Sequence, residues 1–161
     1  MKRTLYVSSM MVLGMLALTL ASAFGEERST LERATLDIAG DTLSVEVARQ
    51  ADERARGLME RDTLASDAGM LFVYANQQSP EAAFWMYRTR IPLDIAFLGA
   101  DGEVRAIRHM QPCQAESSAE CPSYAAGASF RAALEVNAGY FRRHGIEAGD
   151  YIPIAPLLSP H

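Results

Sequence analysis

Lysine is almost absent from this sequence. Lys2 is the only one in 161 residues, so beyond the extreme N-terminus there is no amine for a Schiff base, a nucleophile or a phosphate-binding loop. Histidine is scarce too. His109, His144 and His161 form no spaced pair, and neither H-E-x-x-H nor C-x-x-C occurs, which removes the usual zinc arrangements. No metal and no cofactor are expected. No G-x-S-x-G surrounds a serine, so the nucleophile elbow of serine hydrolases is missing. Basic residues number 15 against 20 acidic ones, and the scattered arginines leave no electrostatic footprint for nucleic acid. Nucleic acid is therefore not an expected partner.

What is present begins at the N-terminus. Lys2 and Arg3 precede an almost wholly apolar run from Leu5 to Leu20, and Ala21-Ser22-Ala23 follows, the small-x-small pattern that signal peptidase reads. This predicts a signal peptide over residues 1–23, cleaved after Ala23, and a periplasmic or secreted protein. The run approaches the length of a membrane span, but Ser8, Ser9, Thr19 and its small-residue end favour cleavage. Membrane contact is expected only through the signal peptide. No cysteine follows the run, so no lipoprotein anchor is expected. Cleavage would leave 138 residues, enough for one domain and not for two. With Lys2 and Arg3 gone, 13 basic residues would face 20 acidic ones, a net charge near −7.

The two cysteines, Cys113 and Cys121, lie in a polar stretch rich in Ser, Glu and Pro. In an oxidising compartment this separation reads as a disulfide closing a small loop, and it is too wide for the C-x-x-C of a catalytic dithiol. Residues 24–33 are charged and patternless, a flexible lead-in. Residues 34–156 read as one β domain and residues 157–161 as a C-terminal tail. Leu36 and Ile38, then Leu43, Val45 and Val47, alternate with polar neighbours on either side of Gly40-Asp41, the pattern of a hairpin. From Gln50 to Met59 the period becomes helical through Ala48, Ala51 and Ala55, with Asp52 and Glu53 near the start where the dipole favours them. Gly57 either ends that helix or admits a close neighbour. Strands are predicted at 69–74, 82–87, 93–98, 104–110, 130–136 and 151–155, and one helical turn at 139–144. The class is mainly β: a single compact β-sandwich, jelly-roll-like or barrel-like domain with one or two short helices.

Three stretches together are similar to a known family. Arg56-Gly57-Leu58-Met59-Glu60-Arg61 precedes Gly69-Met70-Leu71-Phe72. Phe84-Trp85-Met86-Tyr87-Arg88-Thr89-Arg90-Ile91-Pro92-Leu93-Asp94-Ile95-Ala96-Phe97-Leu98 follows. Leu134-Glu135-Val136-Asn137-Ala138-Gly139 comes last, with Gly145-Ile146 and Gly149-Asp150 beyond it. In this order and spacing they resemble the family named domain of unknown function 192, from about Leu43 to Pro153. The resemblance implies a compact β domain of sandwich or jelly-roll type, often exported, and it implies no activity. One departure stands out. After Trp-Met the family usually reads Lys-Asn-Thr, and here the residues are Tyr87-Arg88-Thr89. A ligand contact made by that asparagine would be altered at Arg88.

Asp94, flanked by Leu93 and Ile95, is the acid most deeply set among apolar residues. Burying it alone would be costly, and Arg61, Arg88 and Arg90 are the partners nearest by motif. Such a pair reads two ways, as a fixture of the fold or as a means of holding an arginine ready for an anion. Glu135 is a weaker second acid, and glycoside cleavage would need two acids facing one cleft. Trp85, the sole tryptophan, reads first as core and second as a ligand wall. Pro92 marks a break at which side chains are re-aimed toward a cleft. Met59, Met70, Met86 and Met110 with His109 would suit copper(I), but core filling is the ordinary role of such methionines. The expected site is a cleft lined by Arg61, Trp85, Met86, Thr89 and Asp94, with His109 at its rim. The expected function is an exported, non-catalytic module binding a small ligand or a partner protein in the cell envelope. The alternative is an enzyme acting on a carbohydrate or another envelope metabolite, with Asp94 as acid or base. A structural accessory protein with a flat contact surface is the third class.

Overall fold

Alternation governs the first two strands. The structure, a computed structural model, describes residues 31–159; the predicted signal peptide and most of the lead-in lie outside them. In β1 (Glu32–Ile38) the side chains of Leu36 and Ile38 are buried, and in β2 (Asp41–Ala48) those of Leu43, Val45 and Val47 join them. The strands pair antiparallel across Ala39 and Gly40, both left-handed at φ 51° and 88°. The turn thus falls one residue before Gly40-Asp41, because a two-residue hairpin turn favours glycine at its second position.

β3 (Ala68–Gln78) lies parallel to β2. A parallel neighbour needs a crossover of a dozen or more residues, and α1 (Ala51–Arg56) with the loop after it supplies one. At the start of α1 the Glu53 carboxylate accepts from the N–H groups of Arg49 and Gln50, each at 2.7 Å. β4 (Ala83–Trp85), β5 (Leu93–Leu98), β6 (Val104–Met110), β7 (Ser123–Ala125), β8 (Phe130–Asn137) and α2 (Tyr140–Arg143) complete the order. The main sheet runs β1-β2-β3-β8-β5-β6, open at both ends, and β4 pairs with β7 in a separate ribbon. The fold is mainly β with two short helices.

The core lies on both faces of the main sheet. On one face Leu71, Ala96, Leu98, Leu134 and Val136 meet Tyr140 and Phe141 of α2 and Ile152 and Ile154 of the C-terminal segment. On the other, Met70, Phe72, Ile95, Phe97 and Ala133 meet Leu58, Met86 and the ribbon. The period of two along each strand separates the sets. Phe84 of the ribbon packs against Phe72 and Phe97, with ring centroids 5.2 and 5.7 Å apart.

Two expected strands need correction. Residues 82–87 shrink to the three of β4. Residues 151–155 form no strand: Tyr151 makes one bridge to Glu103, and Ala155–Leu157 is a 3-10 turn. Pro153 and Pro156 have no N–H to offer a ladder. Cys113 and Cys121 are joined in a disulfide, with Cα atoms 5.8 Å apart. Cys113 also bridges Tyr87 and Thr89, so the cross-linked loop is fastened beside the ribbon.

Gly57 ends α1 at φ 49°, ψ −136°, a region open to glycine almost alone. A Cβ there would also come 3.4 Å from the Phe72 ring. Gly57→Val is expected to cost about 1–3 kcal/mol and to lower Tm by several degrees in a thermal melt. An unchanged Tm would show that the backbone here accommodates any residue.

Candidate functional site

The six residues expected in one cleft are not brought together. Asp94 falls on the face of Ala96 and Leu98, opposite to that of Leu93, Ile95 and Met86. Both of its carboxylate oxygens are engaged: Oδ1 lies 2.8 Å from His109 Nδ1, and Oδ2 accepts the Gly139 N–H at 2.7 Å. His109 is the cross-strand neighbour of Asp94 on β6. The Gln111 amide nitrogen lies 2.7 Å from His109 Nε2; with that amide donating, the ring proton sits on Nδ1 and points at Asp94. Asp94 thereby ties β5, β6 and the turn into α2 together. The expected pairing with an arginine is corrected accordingly. Arg61 forks onto Glu46 at 2.5 and 3.0 Å, Arg88 reaches Glu60 at 3.4 Å and Arg90 reaches Asp62 at 2.8 Å. The hydrogen bond from Arg61, with the charges of Arg61 and Arg33, holds the Glu46 carboxyl below the usual range despite its burial. Met86 is core, 1% exposed.

Trp85 and Thr89 do share a cleft, on the other face of the sheet. It encloses about 240 Å³ and opens to solvent. Its walls come from Arg54, Arg56 and Gly57 to Met59 at the end of α1, Phe72 and Tyr74 of β3, and Phe84 and Trp85 of β4. Trp85, expected first in the core, is 52% exposed. β4 lies in a ribbon of two strands with only one face against the core, so Phe84 turns inward while Ala83 and Trp85 turn out. The Arg54 guanidinium lies 4.7 Å from the Tyr74 ring centroid, and it donates to the carbonyls of Arg49 and Val73.

Glu135, by sequence the weaker second acid, completes the cleft. It stands on β8, opposite Met70 of β3 and Ile95 of β5, and is 4% exposed. No group among the described residues donates a hydrogen bond to its carboxyl. Burial, with no cation offsetting it, pushes this acid up to about 8, so it is chiefly protonated at neutral pH. Thr89, also 4% exposed, accepts at its carbonyl from the Cys113 N–H at 3.3 Å and the Gln114 amide at 2.8 Å. Its hydroxyl has no protein partner among the described residues. Burial raises the Tyr74 phenol; the Arg54 charge opposes that shift and Glu135 adds to it. The cleft is therefore lined by a neutral carboxyl and a threonine, both buried, by aromatic rings, and by two arginines from the last turn of α1.

Arg88 does not line this cleft. It is exposed, at φ 55°, with its guanidinium 5.3 Å from the Tyr87 ring centroid. Left-handed backbone is tolerated by asparagine better than by most residues. Among the described residues no cluster of three or more His, Cys, Asp or Glu side chains could hold a metal ion.

Together these features define a small, mainly β domain with an aromatic cleft over a buried acid. The family model for domain of unknown function 192, described as "Uncharacterized ACR", matches residues 34–154. The chain belongs to that family. Among solved structures it is similar to a proposed transcription regulator from Sinorhizobium meliloti 1021, with 33% identity and a TM-score of 0.62 over 75% of this chain and 91% of that one. It is also similar to a protein of unknown function from Novosphingobium aromaticivorans DSM 12444, with 32% identity and a TM-score of 0.65 over 78% of this chain and 88% of that one. No curated protein matches it.

The burial of Glu135 has a signed consequence for stability. Between its ordinary value of 4.5 and about 8, the folded protein keeps a proton that the unfolded chain releases. Stability therefore falls as pH rises through that window, by up to about 1.4 kcal/mol per pH unit, and is level below it. Glu135→Gln removes the proton. Denaturant titrations should find variant and parent alike near pH 4, with the variant ahead by up to about 3–5 kcal/mol near pH 8. A difference independent of pH would mean that this carboxyl is not held neutral.

Proposed function

We propose that this chain is an exported cell-envelope protein whose domain is non-catalytic and binds a small ligand in the cleft over Glu135. Glu135 carries the reading. An acid almost wholly withdrawn from water, without a protein partner, is a cost that an apolar residue at the same place would avoid. A ligand that hydrogen-bonds to it recovers part of that cost. The cleft is open, aromatic on its sides and polar at its base, the usual composition of a small-molecule site.

Catalysis finds less support. Beside Glu135, no second carboxylate, histidine or cysteine lies on the cleft walls among the described residues to share acid–base work with it. The Asp94–His109 pair lies on the opposite face, with both Asp94 oxygens committed. Regulation of transcription, suggested by the description of the Sinorhizobium protein, is disfavoured here by a net charge of −5. Export is supported by the basic, apolar and small-x-small succession at residues 2–23 and agrees with the Cys113–Cys121 disulfide.

Each half has its own test. Expressed with its own N-terminus in a Gram-negative host, the protein should be recovered from the periplasm beginning at Phe24. N-terminal sequencing that found Met1 or Lys2 on a membrane-bound product would overturn export. For binding, Trp85 is the sole tryptophan and lines the cleft, so its fluorescence reports on the site directly. In a screen of neutral, acidic and basic metabolites, at least one should shift the Trp85 emission and raise Tm, and both effects should weaken in Glu135→Leu. If no compound moves either signal, the binding reading fails.

A further inference from the structure

A neutral acid at the base, a ring-wide aromatic wall and positive charge at one end ask three different things of one ligand. We propose that the cleft takes an acidic sugar: one pyranose ring with its hydroxyls on Glu135 and Thr89, its carbon face on Trp85, and its carboxylate on Arg56. The inference rests on the reading of this cleft as a ligand site and specifies what enters it.

The base decides for hydroxyls. Glu135 and Thr89 are each 4% exposed, and neither the carboxyl nor the Thr89 hydroxyl has a protein partner among the described residues. A protonated carboxyl and a hydroxyl each donate and accept, the two capacities a sugar hydroxyl also has. A wholly apolar ligand would seal both groups from water unsatisfied. Because burial keeps Glu135 neutral near pH 7, it does not repel an anion held further out.

The sides decide for a ring, and the end decides for its charge. Trp85, on the cleft and 52% exposed, presents a flat apolar surface against which the carbon face of a pyranose can lie while its hydroxyls point elsewhere. About 240 Å³ falls below the roughly 300–1,000 Å³ of pockets for drug-sized molecules, which favours a single ring over a longer chain. Arg56 lines the cleft, is exposed, and has no ion-pair partner among the described residues. Beside it, the Arg54 guanidinium is engaged by two backbone carbonyls and the Tyr74 ring. No ionised acid lies on these walls to oppose them, so an amino sugar is repelled and a carboxylate attracted. One available guanidinium fork matches a carboxylate, whereas phosphate is more often gathered by several donors.

The test uses the processed full-length protein at pH 6.5, with Trp85 fluorescence and calorimetry against glucuronate, galacturonate, glucose and glucosamine. At least one uronate should bind tenfold or more tighter than glucose, and glucosamine should bind most weakly. Arg56→Ala should bring that uronate down to the level of glucose. Thr89→Val, checked by melting for an intact fold, should weaken the uronate and glucose alike. Glucosamine binding as tightly as the uronates, or a uronate preference that survives Arg56→Ala, would overturn the inference. Should none of these sugars bind while another compound shifts Trp85, the sugar assignment fails and the cleft reading stands. Should no compound of any class bind, both fall.

Discussion

A strand paired along both edges and packed on both faces leaves little room for a polar side chain, and β8 is such a strand. It lies between β3 and β5, which in turn carry β2 with β1 on one side and β6 on the other. Ala132, Ala133, Leu134 and Val136 meet that constraint with apolar side chains. The backbone approach is equally close: a Cβ on Gly69 of β3 would stand 2.7 Å from the Glu135 carbonyl oxygen, so only glycine lets the two strands meet there. Glu135 is the one ionisable residue in the fully buried part of β8, and whatever it does is done at the centre of the molecule.

The contrast with Asp94 shows how two buried acids come to different ends. One residue of offset along a strand changes the face a side chain occupies. Asp94 alternates with Ile95 onto the face where β6 offers His109 and the turn into α2 offers the Gly139 N–H. Those partners use both of its oxygens, and the acid becomes a tie between three segments. Glu135 alternates onto the face of Phe97 and Phe130, where its surroundings are rings and methionines and no donor arrives. The same chemical group is thus structural on one side of the sheet and faces an open cleft without a protein partner on the other.

This offset also marks the limit of what the residues disclose before folding. Strands β5 and β6 are legible to the residue, since Leu93–Leu98 and Val104–Met110 are bounded by Pro92, by the Gly99–Gly102 turn and by polar residues. The disulfide and the helix ended by Gly57 are legible for similar local reasons. The closing strand is misread because Ile152 and Ile154 suggest strand alternation while Pro153 and Pro156 deny it a ladder. Trp85 is misread because a short apolar run looks the same whether it lies within a central sheet or an outlying ribbon. Asp94 outranks Glu135 in the sequence because its flanks are the more apolar, yet the partner each acid finds depends on strands distant in the chain. Arg54 and Tyr74 go unnoticed for the same reason: nothing local joins the end of α1 to β3. An acid inside Ala132-Ala133-Leu134-Glu135-Val136 did carry a signal, since a strand apolar on both faces buries it whichever way it points.

The wall that holds Trp85 also bears on where such a domain can work. β4 and β7 have three residues each, and a two-stranded ribbon is marginal in water by itself. Phe84 anchors it from below through Phe72 and Phe97. From the side, the Cys113 N–H and the Gln114 amide hold the Thr89 carbonyl, and Cys121 closes the loop two residues before β7. By the chain-entropy relation a loop this short contributes on the order of 2–3 kcal/mol, comparable to what so small a ribbon can gain from its own ladder and one buried ring. Thr89 and Trp85 are thus positioned partly by a covalent bond that persists only where thiols stay oxidised.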